Sequence, residues 1–481
     1  MHFLYRSGIE LAASIRDGTA SSREIVREHL DRIHERNDEL NAVVRIKEDD
    51  ALRIAEERDR EARRGELRGP LHGVPITIKE QFWLEGERST MNSSMFSDWT
   101  ASEDAVVVER LKRSGAVILG QTNVPKDLLD YQVSGDLYPE GKNPYDPGRS
   151  PGGSSGGSAA ALASGMTPVE LGGDFGGSIR NPANFCGVYG LKPTEDTIPN
   201  HGLIPKPEGA YGHVFHMAQA GPLARNVQDL ELVWKIIRGP HRSDRVTPRI
   251  QWKDASERTL DDYRVAWIDR WPSYEPSPET RTRIQQLADD LSAHGCRTAP
   301  ADLPADLHRR TLAVWMRLFG LIVTQDMPWP VKLLMKFDFR RRMLKGSKRF
   351  RKEYSRGFKR SFPNYSEAMG LRAGVVADWE RFFDDFDLLI CPMGFGPAYE
   401  RRTIGTPFEV DDEALPYVDY CWPYLACFNA SGHPCMNIPL GLDADGLPVG
   451  VQAVGPYWSE PVLLRFAELV STFTAGFVKP E

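Results

Sequence analysis

The chain has 481 residues, of which 41% are hydrophobic and 26% charged, and its formal net charge is −7. That length can bury a core in one very large domain or in two to three ordinary ones, and the composition is that of a globular protein in water. The negative charge offers no general attraction to nucleic acid, and no stretch reaches the roughly 20 apolar residues of a membrane-spanning helix. Residues 1–8 lack the apolar segment of a secretory leader. Six cysteines with no C-x-x-C pair fit a reducing compartment, so a cytoplasmic location is expected.

In chain order, residues 8–17 predict a short helix. Ser21-Ser22-Arg23-Glu24 reads as a capping box opening a second helix to about Asn37. Residues 40–44 turn inward, and 49–64 form a charged helix that stops near Gly65. The N-terminal region, 1–68, is thus helical and carries no catalytic motif. Residues 74–78 alternate as a buried strand ending at Lys79. A helix over 104–114 precedes a buried strand at 116–119, and Leu128, Leu129 and Tyr131 follow shortly after.

Two glycine-flanked serine sites come next. Gly152-Gly153-Ser154-Ser155-Gly156-Gly157 and Asp174-Phe175-Gly176-Gly177-Ser178 are separated by a small-residue helix at 158–165 and a buried strand at 167–171. Glycines let backbone N–H groups approach a ligand that Cβ atoms would block. Converging N–H groups favour an anion such as the oxyanion of acyl transfer. A flexible linker is disfavoured, because apolar segments crowd in on both sides. A phosphate-cradling loop is disfavoured too, because no Lys follows Gly156 or Gly157. The G-x-S-x-G elbow is absent at Ser178, which removes support for an α/β-hydrolase fold. A nucleophilic serine still needs a group to take its proton.

That group is suggested by a resemblance. GPLHGVPITIKE at 69–80, SPGGSSGGSAAALASG at 150–165 and GGDFGGSIRNPANFCGVYGLKPT at 172–194 resemble the successive signature blocks of the amidase signature family. The resemblance implies an α/β fold of one domain over 1–481, with a large twisted mixed sheet covered by helices on both faces. It implies amide hydrolysis by a Ser–cis-Ser–Lys triad, with no cofactor and no metal. Position by position, Lys79 is the base, Ser154 the bridging serine with a cis peptide bond, and Ser178 the nucleophile. The N–H groups of Phe175, Gly176, Gly177 and Ser178 would form the oxyanion hole. Leu128, Leu129 and Tyr131 would face the acyl part of the substrate. Ser155, Asp174 and Arg180 would support the site, the last two as an ion pair or loop anchors. The chemistry is consistent, because a lysine serves as base only when neutral and burial lowers its pKa. Departures are also present. Glu80 stands where the family usually has Asp, followed by Gln81, and Gly173 stands where it usually has Thr.

Beyond 222 the pattern loosens. Residues 227–238 are amphipathic, 265–268 predict a strand, 279–293 a helix, and 386–392 and 436–440 buried strands. Residues 446–452 with Gly455 read as a strand pair at the C-terminal edge. His213 and His216 form H-x-x-H without further ligands, so no metal is assigned to them. Residues 331–360 carry thirteen Lys or Arg against Asp338 and Glu353. There Phe339, Met343, Phe350, Tyr354 and Phe358 fall on one helical stripe. The expectation is one solvated helix packing that stripe on the body, in preference to membrane contact. Residues 310–380, including Trp315 and Phe319, are taken as a variable helical cap on the substrate side.

The resulting expectation is an amidase with a small-molecule amide substrate, hydrophobic or aryl, with esters and carbamates in scope. No nucleic acid is expected, and a homodimer is left open. Two rivals are the glutaminase subunit of a tRNA-dependent amidotransferase and a catalytically silent binding protein on the same scaffold.

Overall fold

Short runs rich in Val, Ile and Leu, drawn from distant parts of the chain, assemble one sheet. The computed structural model describes residues 3–206, 216–244, 246–325, 329–359, 361–410 and 412–481. Among them, eleven strands lie in the order Val43–Ile46, Val117–Thr122, Pro75–Lys79, Val169–Asp174, Gln219–Ala224, Tyr189–Lys192, Cys435–Leu442, Pro448–Val454, Leu388–Cys391, Arg264–Trp267 and Arg297–Pro300. The sheet is mixed. Pro75–Lys79 is parallel to both of its neighbours, whereas the strands from Val169–Asp174 through Leu388–Cys391 pair antiparallel.

Helices cover both faces, and the period-2 alternation of the strands shows why. Ile118 packs in the cluster that holds Leu230, Val233 and Trp234 of the helix Val227–Ile237. Val117 and Leu119 point the other way, into the cluster containing Ala159 to Ala163 of the helix Gly156–Ala163. Every residue of that small-residue helix is buried. A third cluster, with Trp315, Phe319 and Trp422, lies over the serine loops.

The N-terminal helices form as the caps require. Ser21 and Glu24 make a reciprocal capping box ahead of Ser22–Leu40. Two expectations are corrected. The segment 446–452 is no edge pair: Pro448–Val454 is one interior strand between Cys435–Leu442 and Leu388–Cys391. The basic segment is not one helix either. It breaks into Trp329–Arg342 and Lys348–Gly357, with Gly346 between them at φ +86°, a left-handed conformation that suits glycine. The stripe still packs inward, with Phe339, Met343, Phe350 and Tyr354 buried. No helix among the described residues is long and apolar enough to cross a membrane. His213 lies outside the described residues. The His216 ring pairs with the Tyr365 hydroxyl at 2.7 Å and with Glu195 at 3.5 Å.

Candidate active site

Two neighbouring parallel strands set the frame of the site. Lys79 ends the strand Pro75–Lys79, and Asp174 ends its neighbour Val169–Asp174, so both side chains emerge at the same sheet edge. Lys79 is completely buried. Its Nζ donates to Ser154 Oγ at 2.8 Å and to the Gly173 carbonyl at 3.2 Å. Burial pushes the Lys79 amine well below its ordinary value, against the opposing pull of the Asp174 charge.

Ser154 sits at the Gly153–Ser154 bond, which is cis. Its neighbour Ser155 ties the two serine loops together. The Ser155 N–H donates to the Ser178 carbonyl at 3.1 Å, and its hydroxyl lies 3.4 Å from both the N–H and the carbonyl oxygen of Gly173.

The Ser178 loop is held from below by Asp174. One carboxylate oxygen accepts the Gly177 N–H at 2.7 Å, and the other accepts the Ile179 N–H at 3.1 Å. Arg180 closes a bidentate pair with Asp174, each bond 3.0 Å, and neither side chain has any exposure. Burial alone would raise the Asp174 pKa, but Arg180 overrides it and holds the carboxyl well below the usual range. Arg180 also reaches the Leu425 carbonyl, Gln452 and Asn429, which ties the loop to the helix Trp422–Ala430 and the strand Pro448–Val454. Of the four N–H groups expected to form an oxyanion hole, Gly177 is thus engaged by Asp174. Those of Phe175, Gly176 and Ser178 have no acceptor among the described residues.

Beside Ser178 opens a small pocket. Leu128, Leu129, Tyr131, Phe175 and Gly176 line it, as do Trp315 and Phe319 of the helix Ala305–Ile322. Asp127 and Leu128 have φ of +53° and +61°, a rare conformation for a leucine. The Tyr131 hydroxyl donates to the Gly176 carbonyl, so its ring rather than its oxygen faces the pocket's contents.

Two lining residues escaped the sequence reading. Trp422 comes from the helix Trp422–Ala430, nearly three hundred positions beyond Leu129, and no local pattern marks it. Asp130 lies between residues that were singled out, and its one sequence signal is a carboxylate in an otherwise apolar run.

The departures from the family pattern fit one another. The Gln81 amide donates to the Leu203 carbonyl at 3.0 Å, and a Cβ on Gly173 would come within 2.7 Å of that amide nitrogen. Glycine at 173 therefore makes room for Gln81. Glu80 is buried and accepts from the Thr90 N–H, the Thr90 hydroxyl and the Met91 N–H at 2.7–2.8 Å, anchoring a loop next to the site.

The chain resembles known proteins along nearly its whole length. Residues 24–464 match the family model described as Amidase. The chain is 31% identical to a subunit of the glutamyl-tRNA(Gln) amidotransferase of Archaeoglobus fulgidus, covering 93% of this chain and 95% of the relative. It is 29% identical to an acylamidase from Rhodococcus erythropolis, covering 97% and 94%. The solved structure of a peptide amidase from Stenotrophomonas maltophilia superposes with a TM-score of 0.79 at 26% identity, covering 100% of this chain and 99% of that one. The chain belongs to the amidase signature family, and it is an amide-hydrolysing enzyme.

Proposed function

We propose that this amidase works through Lys79, Ser154 and Ser178 on hydrophobic or aryl carboxylic amides. The observation that carries the reading is the fully buried Lys79 amine, 2.8 Å from Ser154 Oγ, together with the pocket that Ser178 lines. Ser178 Oγ attacks the carbonyl carbon. Its proton passes to Ser154 Oγ, and the Ser154 proton passes to the neutral Lys79 amine. The N–H groups of Phe175, Gly176 and Ser178 receive the oxyanion. As the tetrahedral intermediate collapses, Ser154 delivers a proton to the departing amine and recovers one from Lys79. Water then attacks the acyl-enzyme by the same route and frees the acid.

Substrate preference follows from the wall. Rings and leucines dominate it, and no Lys or Arg stands on it among the described residues. Each methylene buried there contributes about 0.8 kcal/mol, or roughly fourfold in kcat/KM. The test is an acyl-chain series with one common aryl amine leaving group, with acetamide, glutamine and a carbamate alongside. A rise in kcat/KM with chain length and with aryl acyl groups is expected. A flat profile beyond two carbons sinks the hydrophobic assignment.

The amidotransferase relative supports a second reading, a glutaminase that acts with partner chains. The same series separates the two. Clear preference for glutamine favours the glutaminase, whereas a glutamine carboxylate meets no cation on this wall.

A further inference from the structure

The pocket beside Ser178 is aromatic around most of its wall and acidic at one point. Phe175, Trp315, Phe319 and Trp422 contribute rings, and Asp130 is its one carboxylate among the described residues. Trp315 stacks obliquely on Phe319 at 5.0 Å and edge-on to Trp422 at 5.1 Å, so the rings form a continuous surface. Asp130 is 9% exposed. Its Oδ1 accepts from the Tyr417 hydroxyl at 2.6 Å and from the Tyr131 N–H at 2.8 Å. Its Oδ2 has no hydrogen-bond partner among the described residues.

A merely structural carboxylate should not look like this. A buried oxygen without a partner costs about 1–3 kcal/mol, and asparagine could serve Tyr417 and the Tyr131 N–H without burying a potential charge. Burial raises the Asp130 carboxyl to about 7, against hydrogen bonding from Tyr417, Tyr131 and Gln132, so it can ionise when a cation arrives. The residue is also firmly placed. A Cβ on Gly153 would come within 2.3 Å of the Asp130 carbonyl oxygen, so its backbone lies against the segment that carries Ser154.

One half-satisfied carboxylate in a box of rings is the chemistry that recognises an ammonium. The ring faces attract the cation, and the carboxylate supplies the counter-charge. We propose that Asp130 is a specificity-determining residue that pairs with a second nitrogen carried by the amide substrate, an ammonium or a polarised N–H. The substrate class is then an amide with an apolar body and an amino group, rather than a plain alkanoyl amide. This rests on the proposed function of Ser178 and adds one polar contact to its pocket. Glutamine offers a suitable ammonium, but its carboxylate would enter a wall without a cation.

The experiment uses the full-length protein and isosteric pairs of para-nitroanilides. In each pair an ω-aminoalkanoyl group is compared with the alkanoyl group in which methyl replaces ammonium, over a range of chain lengths. A second set places the amine on the leaving side. At one length or more, the amino member should exceed its alkyl partner in kcat/KM by at least about tenfold. Asp130→Asn should lower the amino member at least about tenfold more than the alkyl member. A structural role would lower both members together, and that result overturns the proposal. So does the absence of any length at which the amino member is preferred. If Asp130→Asn does not fold, inhibition of the wild type by alkylammonium ions decides the matter. Inhibition no stronger than that by alcohols of matching length overturns the proposal, and stronger inhibition supports it. Failure here is distinct from failure of the amidase reading, because alkyl anilide turnover and labelling of Ser178 would survive the first and not the second.

Discussion

Replacing Lys79 with methionine should make the protein more stable and catalytically dead, and the gain should depend on pH. An unfolded lysine titrates near 10.4. If the buried Lys79 amine is neutral at pH 7, folding must release its proton against that value, a cost of about 4–5 kcal/mol. Lys79→Met removes the cost and keeps a side chain of similar length and shape. It also removes the two hydrogen bonds from Nζ to Ser154 and Gly173, worth about 1 kcal/mol each. The net gain at pH 7 is roughly 2–4 kcal/mol. The sign of the pH trend follows from proton counts. The folded pKa is depressed, so below the unfolded value the unfolded chain binds more protons. Wild-type stability therefore falls as pH drops below about 10, and the advantage of the variant shrinks by about 2–3 kcal/mol between pH 7 and 9. Urea unfolding followed by tryptophan fluorescence, run on both proteins at the two pH values, reads this directly. A Met variant no more stable than wild type at pH 7, or an advantage that does not change with pH, means that Lys79 is charged at rest. A charged Lys79 cannot be the base.

Three further outcomes are expected. Ser178→Ala should abolish turnover without shifting the melting temperature, and an activated fluorophosphonate should label the peptide holding Ser178; label on Ser154 or Ser155 alone would reassign the nucleophile. Wild-type activity should fall as pH drops through the depressed Lys79 pKa, and Lys79→Ala should slow amide hydrolysis by about 10²–10⁴ and matched esters less, since an amine leaving group needs its proton more; equal losses would argue against a relay through Ser154. Gly173→Thr should destabilise by about 1–3 kcal/mol, because its Cβ meets Gln81, and a prior Gln81→Ala should relieve at least about 1 kcal/mol of that in a double-mutant cycle.

Much of this was readable in the sequence because it is local. The capping box at Ser21–Glu24, the strand that ends at Lys79 and the small-residue helix at 156–163 each depend on neighbours a few positions away. What was missed depends on closure over long distances. Pro448–Val454 lies inside the sheet because Leu388–Cys391 covers its outer edge, and nothing within either segment encodes that pairing. Trp422 reaches the pocket through a helix whose partner, Ala305–Ile322, lies about a hundred residues earlier. The stripe from Phe339 to Phe358 had helical spacing, yet a single left-handed glycine at 346 breaks the helix while leaving the buried side chains on the same core. Periodicity reports which side chains go inside and not whether the backbone between them is continuous.

The oxyanion loop shows how these distant pieces act together. A trans peptide sets its C=O and N–H on opposite sides, so fixing one fixes the other. Trp315 Nε1 donates to the Phe175 carbonyl at 2.9 Å, which turns the Gly176 N–H away from Trp315. Tyr131 holds the Gly176 carbonyl, and the paired Gly177 N–H accordingly falls on Asp174. The Ser155 N–H holds the Ser178 carbonyl, and the following Ile179 N–H again falls on Asp174. Two orienting residues, Trp315 and Tyr131, also line the pocket, so a substrate body that presses on those rings touches the same groups that aim the loop. Binding energy from the apolar part of the substrate is thereby available to the reacting end, where only interactions strengthened in the transition state accelerate the chemistry. A polar residue at 315 or 131 would weaken both functions at once, which is a physical reason for the pocket to be aromatic there, whatever amide it receives.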